Sequence, residues 1–108
     1  MTETKKFPFD FEFYNKTDLP DPEFYDLAYE QITELASGHS DITGASVSIE
    51  ELSGDETPHA YQAIVTLYVR PNNIAAKDIR NAALDALQEA LDAAISQIRE
   101  KREKLRNY

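Results

Sequence analysis

The chain has 108 residues, of which 42% are hydrophobic and 29% charged, with no cysteine and a formal net charge of −9. The length predicts one domain over residues 1–108, and the missing cysteines exclude a disulfide framework, thiol catalysis and a cysteine-ligated zinc. No apolar run reaches the roughly 18 residues of a membrane span and Met1–Lys6 leads into no signal-peptide core, so a cytoplasmic protein without membrane contact is expected.

Phe7, Phe9, Phe11 and Phe13 alternate with Pro8, Asp10, Glu12 and Tyr14. Period-two alternation of aromatic residues predicts a half-buried strand with its rings on the core face, and Pro8 suits an edge position or a strand entry. Asn15–Pro20 reads as a turn. Asp21-Pro22 then predicts a helix start, with Asp21 as the cap and Pro22 in the first helical position. Phe24, Leu27, Ala28, Ile32 and Leu35 share one face of that helix, and Gly38 closes it. Ala45–Ile49 alternates as a second strand, Ser53–Glu56 forms a polar hairpin loop, and Tyr61–Arg70 is the clearest strand of the chain. After a turn at Pro71–Asn73, Ile74–Asp78 predicts a short fourth strand. One long helix follows from about Asn81 to Arg106, with Leu84, Leu87, Leu91, Ile95, Ile98 and Leu105 as its apolar stripe and five alanines beside them.

The order strand, helix, three strands, helix predicts an α+β fold: a β-α-β-β-β-α two-layer sandwich in which both helices cover one face of a four-stranded sheet. The first strand–helix–strand unit is expected as a right-handed parallel crossover, and the later strands as a meander.

The charge is unevenly spread. Residues 1–60 carry three basic side chains against fourteen acidic ones, a balance of −11, whereas residues 61–108 carry eight against six, a balance of +2. Arg99, Lys101, Arg102, Lys104 and Arg106 lie together near the end of the last helix, where a basic tip over about residues 99–108 is expected to project from an acidic body. Such a tip can approach nucleic acid, because fields fade over a Debye length of roughly 8 Å at physiological salt.

Catalytic chemistry finds no foothold. His39 and His59 stand apart in polar loops, without metal-ligand spacing. Glu50, Glu51, Asp55 and Glu56 match no calcium loop, and the three glycines form no phosphate cradle. No catalytic residue, metal, cofactor or small-molecule substrate is expected, and the protein reads as a non-enzyme. Two features suit binding. The cations of the helix end fit phosphate contacts, although composition alone favours an ordinary helix terminus that complements its dipole and pairs with Glu100 and Glu103. Tyr68 and Arg70, near Lys77 and Arg80, fit base stacking with phosphate contact, and equally an ordinary exposed sheet face.

From Tyr61 onward the sequence resembles the ribosome hibernation-promoting factor and ribosome-associated inhibitor family. The likeness rests on Leu67-Tyr68-Val69-Arg70-Pro71 ending a strand, on Ile74-Ala75-Ala76-Lys77-Asp78, and on Ala82-Ala83-Leu84-Asp85-Ala86-Leu87 opening a long helix with a basic end. The family's pattern there is a strand of the type I-V-A-K-E and a helix beginning Y-A-A-L-D, and its element order is the one derived above. The resemblance implies binding to the small ribosomal subunit and its rRNA, occlusion of the decoding region and inhibition of translation in resting cells. Carried over by position, the RNA-binding candidates are Arg70, Lys77, Arg80, Arg99, Lys101, Arg102, Lys104 and Arg106, beside Tyr68 from the residue reading. The chain departs from the family in its charge: the first helix has Asp26, Glu30 and Glu34 and no cation, and Asp92 stands midway along the second. The alternative is therefore an acidic protein–protein interaction domain on the same scaffold, docking a basic partner such as a ribosomal protein.

Overall fold

A computed structural model describes residues 10–39, 41–52, 60–69 and 72–106, with the side chains of Asp10, Asp21 and residues 102–106 outside that description. Strand β1 (Asp10–Lys16) is followed by helix α1 (Asp21–Ser37), strands β2 (Ile42–Leu52), β3 (Ala60–Val69) and β4 (Ile74–Arg80), and helix α2 (Ala83–Arg106). The four strands form one sheet in the order β1-β2-β3-β4, so β1 and β4 are its edges. β1 pairs parallel with β2, as a helical crossover requires, whereas β2–β3 and β3–β4 are antiparallel neighbours. This is the α+β arrangement expected from the periodicities. Phe7, Phe9 and the Ser53–Glu56 loop lie outside the described residues.

One face of the sheet and both helices enclose a single core. Ala45, Val47 and Ile49 of β2 and Ala63, Val65, Leu67 and Val69 of β3 point into it, fully buried or nearly so. α2 packs mainly on β3 and β4. Its buried stripe is Ala83, Ala86, Leu87, Ala90, Leu91, Ala94 and Ile98. Leu84, expected in that stripe, is instead 36% exposed. The helix is rotated so that side chains ending at Cβ face the sheet, which lets the backbones approach and leaves the bulkier Leu84 at the rim. α1 buries Phe24, Ala28, Ile32 and Leu35 as its spacing predicts, with Leu27 half-buried and Tyr29 added. Phe11 and Phe13 of β1 meet Tyr25 edge-on at ring-centroid distances of 5.5 and 5.4 Å, while Tyr25 stacks on Tyr29. Gln31 and Gln88 exchange amide hydrogen bonds of 3.1 and 3.3 Å between the helices.

The turn into α1 is built by side chains. Asn15 Oδ1 accepts from the Thr17 backbone N–H and hydroxyl, Asn15 Nδ2 donates to the Leu19 carbonyl, and Thr17 Oγ1 accepts from the Leu19 N–H. The helix then starts one residue earlier than expected. Pro20, in extended conformation, is the residue before it, Asp21 is the first helical residue and Pro22 the second. No side-chain cap is made there. Pro22 is tolerated because the first-turn N–H groups have no partner within the helix. Gly38 closes α1, its N–H reaching the Leu35 carbonyl at 3.1 Å. No helix among the described residues is long and apolar enough to cross a membrane.

The rotated stripe makes a direct test. Leu91→Ala should cost about 2–5 kcal/mol in urea unfolding and Ala90→Leu about 1–3 kcal/mol through overpacking. Leu84→Ala should cost about 1 kcal/mol or less.

Candidate nucleic-acid interface

The path of the chain gives the molecule two poles. β1 and β2 end at one pole, where Lys16 is in register with Glu50, and the ends of β2 and β4 meet there through β3. Both helices also start at this pole. It gathers Asp18, Glu23, Asp26, Glu50, Glu51, Asp85 and Glu89, and the carboxylates in the first turns suit the positive ends of the helix dipoles. α2 then runs back across the sheet, so its cationic end arrives at the opposite pole, beside the β3–β4 turn and the end of α1.

Gln97 fixes that arrival, with its Nε2 donating to the Ala75 carbonyl on edge strand β4 at 3.2 Å. Ile98 is fully buried beside it. Arg99 and Lys101 follow, roughly 200° apart around the helix, and so lie on opposite flanks. Arg99 lines a cleft of about 390 Å³ against the end of α1, with Glu34, Gly38 and His39. Lys101 lines a second cleft, of about 340 Å³, with Asn72, Asn73 and Gln97. Arg102, Lys104 and Arg106 occupy the last turns of α2, with their side chains outside the described set; Arg70 also lies outside the described residues.

The candidates on the sheet do not form one group. Tyr68 and Lys77 are on the face that the helices leave open, Tyr68 opposite Gly44 and Lys77 opposite Ile64. That face is otherwise nearly neutral: its central rows are Glu12, Ser46, Thr66 and Ala75, then Tyr14, Ser48, Ile64 and Lys77. Arg80 is in register with Tyr61, on the helix side. Its Nε is 2.6 Å from Asp78 Oδ1, and its Nη2 is 3.9 Å from Glu89 Oε1. Strand alternation explains the separation, since residues 77 and 80 differ by an odd number and must point to opposite faces. The expectation that Arg80 joins Tyr68 and Lys77 is thus corrected, and Arg80 belongs to the acidic pole.

The hydrogen bond from Arg80, reinforced by its charge, holds the Asp78 carboxyl below its ordinary pKa; the same bond raises that of Arg80. Among the described residues no group of three or more His, Asp or Glu side chains comes together as a metal site. Glu50 and Glu51, neighbours in sequence, point to opposite faces of β2. Sequence reasoning passed over Gln97, read Asn72 and Asn73 only as turn residues, and set His39 aside as a loop histidine. Asn73 carried a signal as a polar residue opening a strand, where an amide can hold the turn; Gln97 and His39 gain their setting only from the packing of α2 and α1.

No protein-family model and no curated protein sequence matches the chain. Among solved structures, the fold is similar to that of a ribosomal subunit interface protein from Coxiella burnetii, with a TM-score of 0.70 and 7% identity, over 88% of this chain and 99% of that one. It is also similar to the N-terminal domain of Protein Y from Thermus thermophilus, with a TM-score of 0.65 and 13% identity, over 82% of this chain and 93% of that one. At such identities the likeness is one of fold, and that fold is the one the sequence resemblance implies.

The Arg80 contacts predict a titration. By carboxyl NMR, Asp78 should titrate below an ordinary aspartate, and Arg80→Gln should bring its midpoint back up. Because the folded value is depressed, the pair's small stabilising effect is present above the unfolded pKa and lost as pH falls through the folded one.

Proposed function

We propose that this protein is a non-enzymatic ribosome-binding factor. Its cationic pole contacts the rRNA of the small subunit, and the bound domain occludes the decoding region and holds back translation in resting cells. The observation that carries this reading is the placement of the α2 end, with Arg99 and Lys101 on its two flanks and Arg102, Lys104 and Arg106 in its last turns, at the pole opposite the acidic helix starts. The fold shared with a ribosomal subunit interface protein and with the Protein Y domain supports it.

Of the carboxylates behind the net charge of −9, Glu34 and Glu100 stand beside Arg99 and Lys101 and offset part of their charge, whereas those where the helices begin are far away. The 24 residues of α2 span roughly 36 Å at 1.5 Å per residue. That is several times the screening length of about 8 Å, so RNA at one pole is largely shielded from the carboxylates at the other. Arg80, held by Asp78 and Glu89, takes no part in the proposed surface. Tyr68 and Lys77 are left at its margin, on the open sheet face.

The acidic pole favours a second reading, in which the domain docks a basic protein and no RNA. Capture of a partner from lysate that persists after ribonuclease treatment would favour that reading over rRNA contact.

Wild-type protein should co-sediment with purified small subunits at low salt and dissociate as salt rises. Lys101→Glu/Arg102→Glu/Lys104→Glu should abolish co-sedimentation at moderate salt and flatten the log–log salt slope by about three. Absence of wild-type co-sedimentation at every salt concentration would refute the proposal.

A further inference from the structure

Resting on the RNA-binding reading above, we infer that the cleft between the β3–β4 turn and the end of α2 receives one unpaired RNA nucleotide. The cleft of about 340 Å³ is lined by Asn72, Asn73, Ile74, Gln97, Glu100 and Lys101. Its wall presents amides, and the backbone fixes which way two of them face. The Val69 N–H donates to Asn73 Oδ1 at 3.1 Å, so the Asn73 NH₂ group is the part left to donate elsewhere. Gln97 Nε2 donates to the Ala75 carbonyl at 3.2 Å, which leaves Gln97 Oε1 as an acceptor. Neither amide can flip without leaving a backbone group of the turn or the edge strand without its partner.

A fixed donor on the turn and a fixed acceptor facing it from α2 across the cleft match the edge of a nucleobase, which always carries both. Double-stranded RNA hides that edge, whereas an unpaired nucleotide exposes it. Glu100 adds a further acceptor, the largely buried Ile74 an apolar floor, and Lys101 a cation on the side that continues into the basic helix end. Because both amides are already held, binding a base costs little ordering of side chains. The cations of α2 would hold phosphate without regard to sequence, and the cleft would add a requirement for an unstacked base.

The test uses the full chain and two fluorescein-labelled strands of equal length and charge, one a mixed-sequence single-stranded RNA and the other abasic throughout. By fluorescence anisotropy, wild type should bind the base-bearing strand about tenfold more tightly. Asn73→Asp keeps the oxygen that serves the Val69 N–H and removes only the free donor. Gln97→Lys keeps a donor for the Ala75 carbonyl and removes only the acceptor. The first adds a negative charge and the second a positive one, so absolute affinities should move in opposite directions while both variants lose most of the preference for bases. Equal binding of the two strands by wild type, or a preference unchanged in both variants, would overturn the inference and leave the ribosome reading intact. Binding of neither strand by wild type would overturn it as well, and co-sedimentation with small subunits would then decide whether the ribosome reading falls with it.

Discussion

Ala83, Ala86, Ala90 and Ala94 put little more than a methyl group each between the α2 backbone and the sheet, and the position of everything at the cationic pole follows from that close approach. Leu87, Leu91 and Ile98 fill the space to either side and supply the apolar area that holds the helix down. The direction of α2 is then set by topology. It leaves β4 at the acidic pole and has only one way to lie across β3 and β4, so its last turns must arrive beside the β3–β4 turn. Gln97, bonded to Ala75, adds a polar anchor beside the buried Ile98.

The same path sorts the charges. Carboxylates concentrate where both helices begin and cations where the second helix ends, in each case the sign that the helix dipole favours. One distribution therefore suits the helix dipoles and, on the proposed reading, also the approach of RNA to the α2 end. Arg80 shows the reverse case. It is a cation in sequence, but strand alternation carries it to the helix side and into contact with Asp78 and Glu89, where its charge is spent on neighbours.

Much of the fold was legible because it is written in periods. Alternation in β1, β2 and β3, the apolar face of α1 and the alanine-rich run of α2 each named an element, and the order of elements named the sandwich. Leu84 was misplaced because apolar spacing reports which residues are greasy, while the helix rotation was decided by which were small enough to touch a sheet. The start of α1 moved by one residue because a proline in the second helical position is as acceptable as one in the first. The candidate site was less legible. The cations of α2 could be seen in sequence, and Asp78 lies two residues from Arg80 on the same strand face, which alternation encodes once the strand is known to run to Arg80. The Glu89 contact and the pairing of Asn73 with Gln97 across one cleft arise from helix placement, which no local pattern encodes.

The placement of the α2 end can be measured with a single spin label, since the chain has no cysteine to interfere. A nitroxide attached at Lys101→Cys should strongly broaden the backbone amide signals of Asn73, Ile74 and Ala75. Those of Phe24, Tyr25 and Asp85, at the opposite pole, should stay sharp. Comparable broadening at both poles, or sharp signals at residues 73–75, would contradict the separation of charge on which the functional account is built.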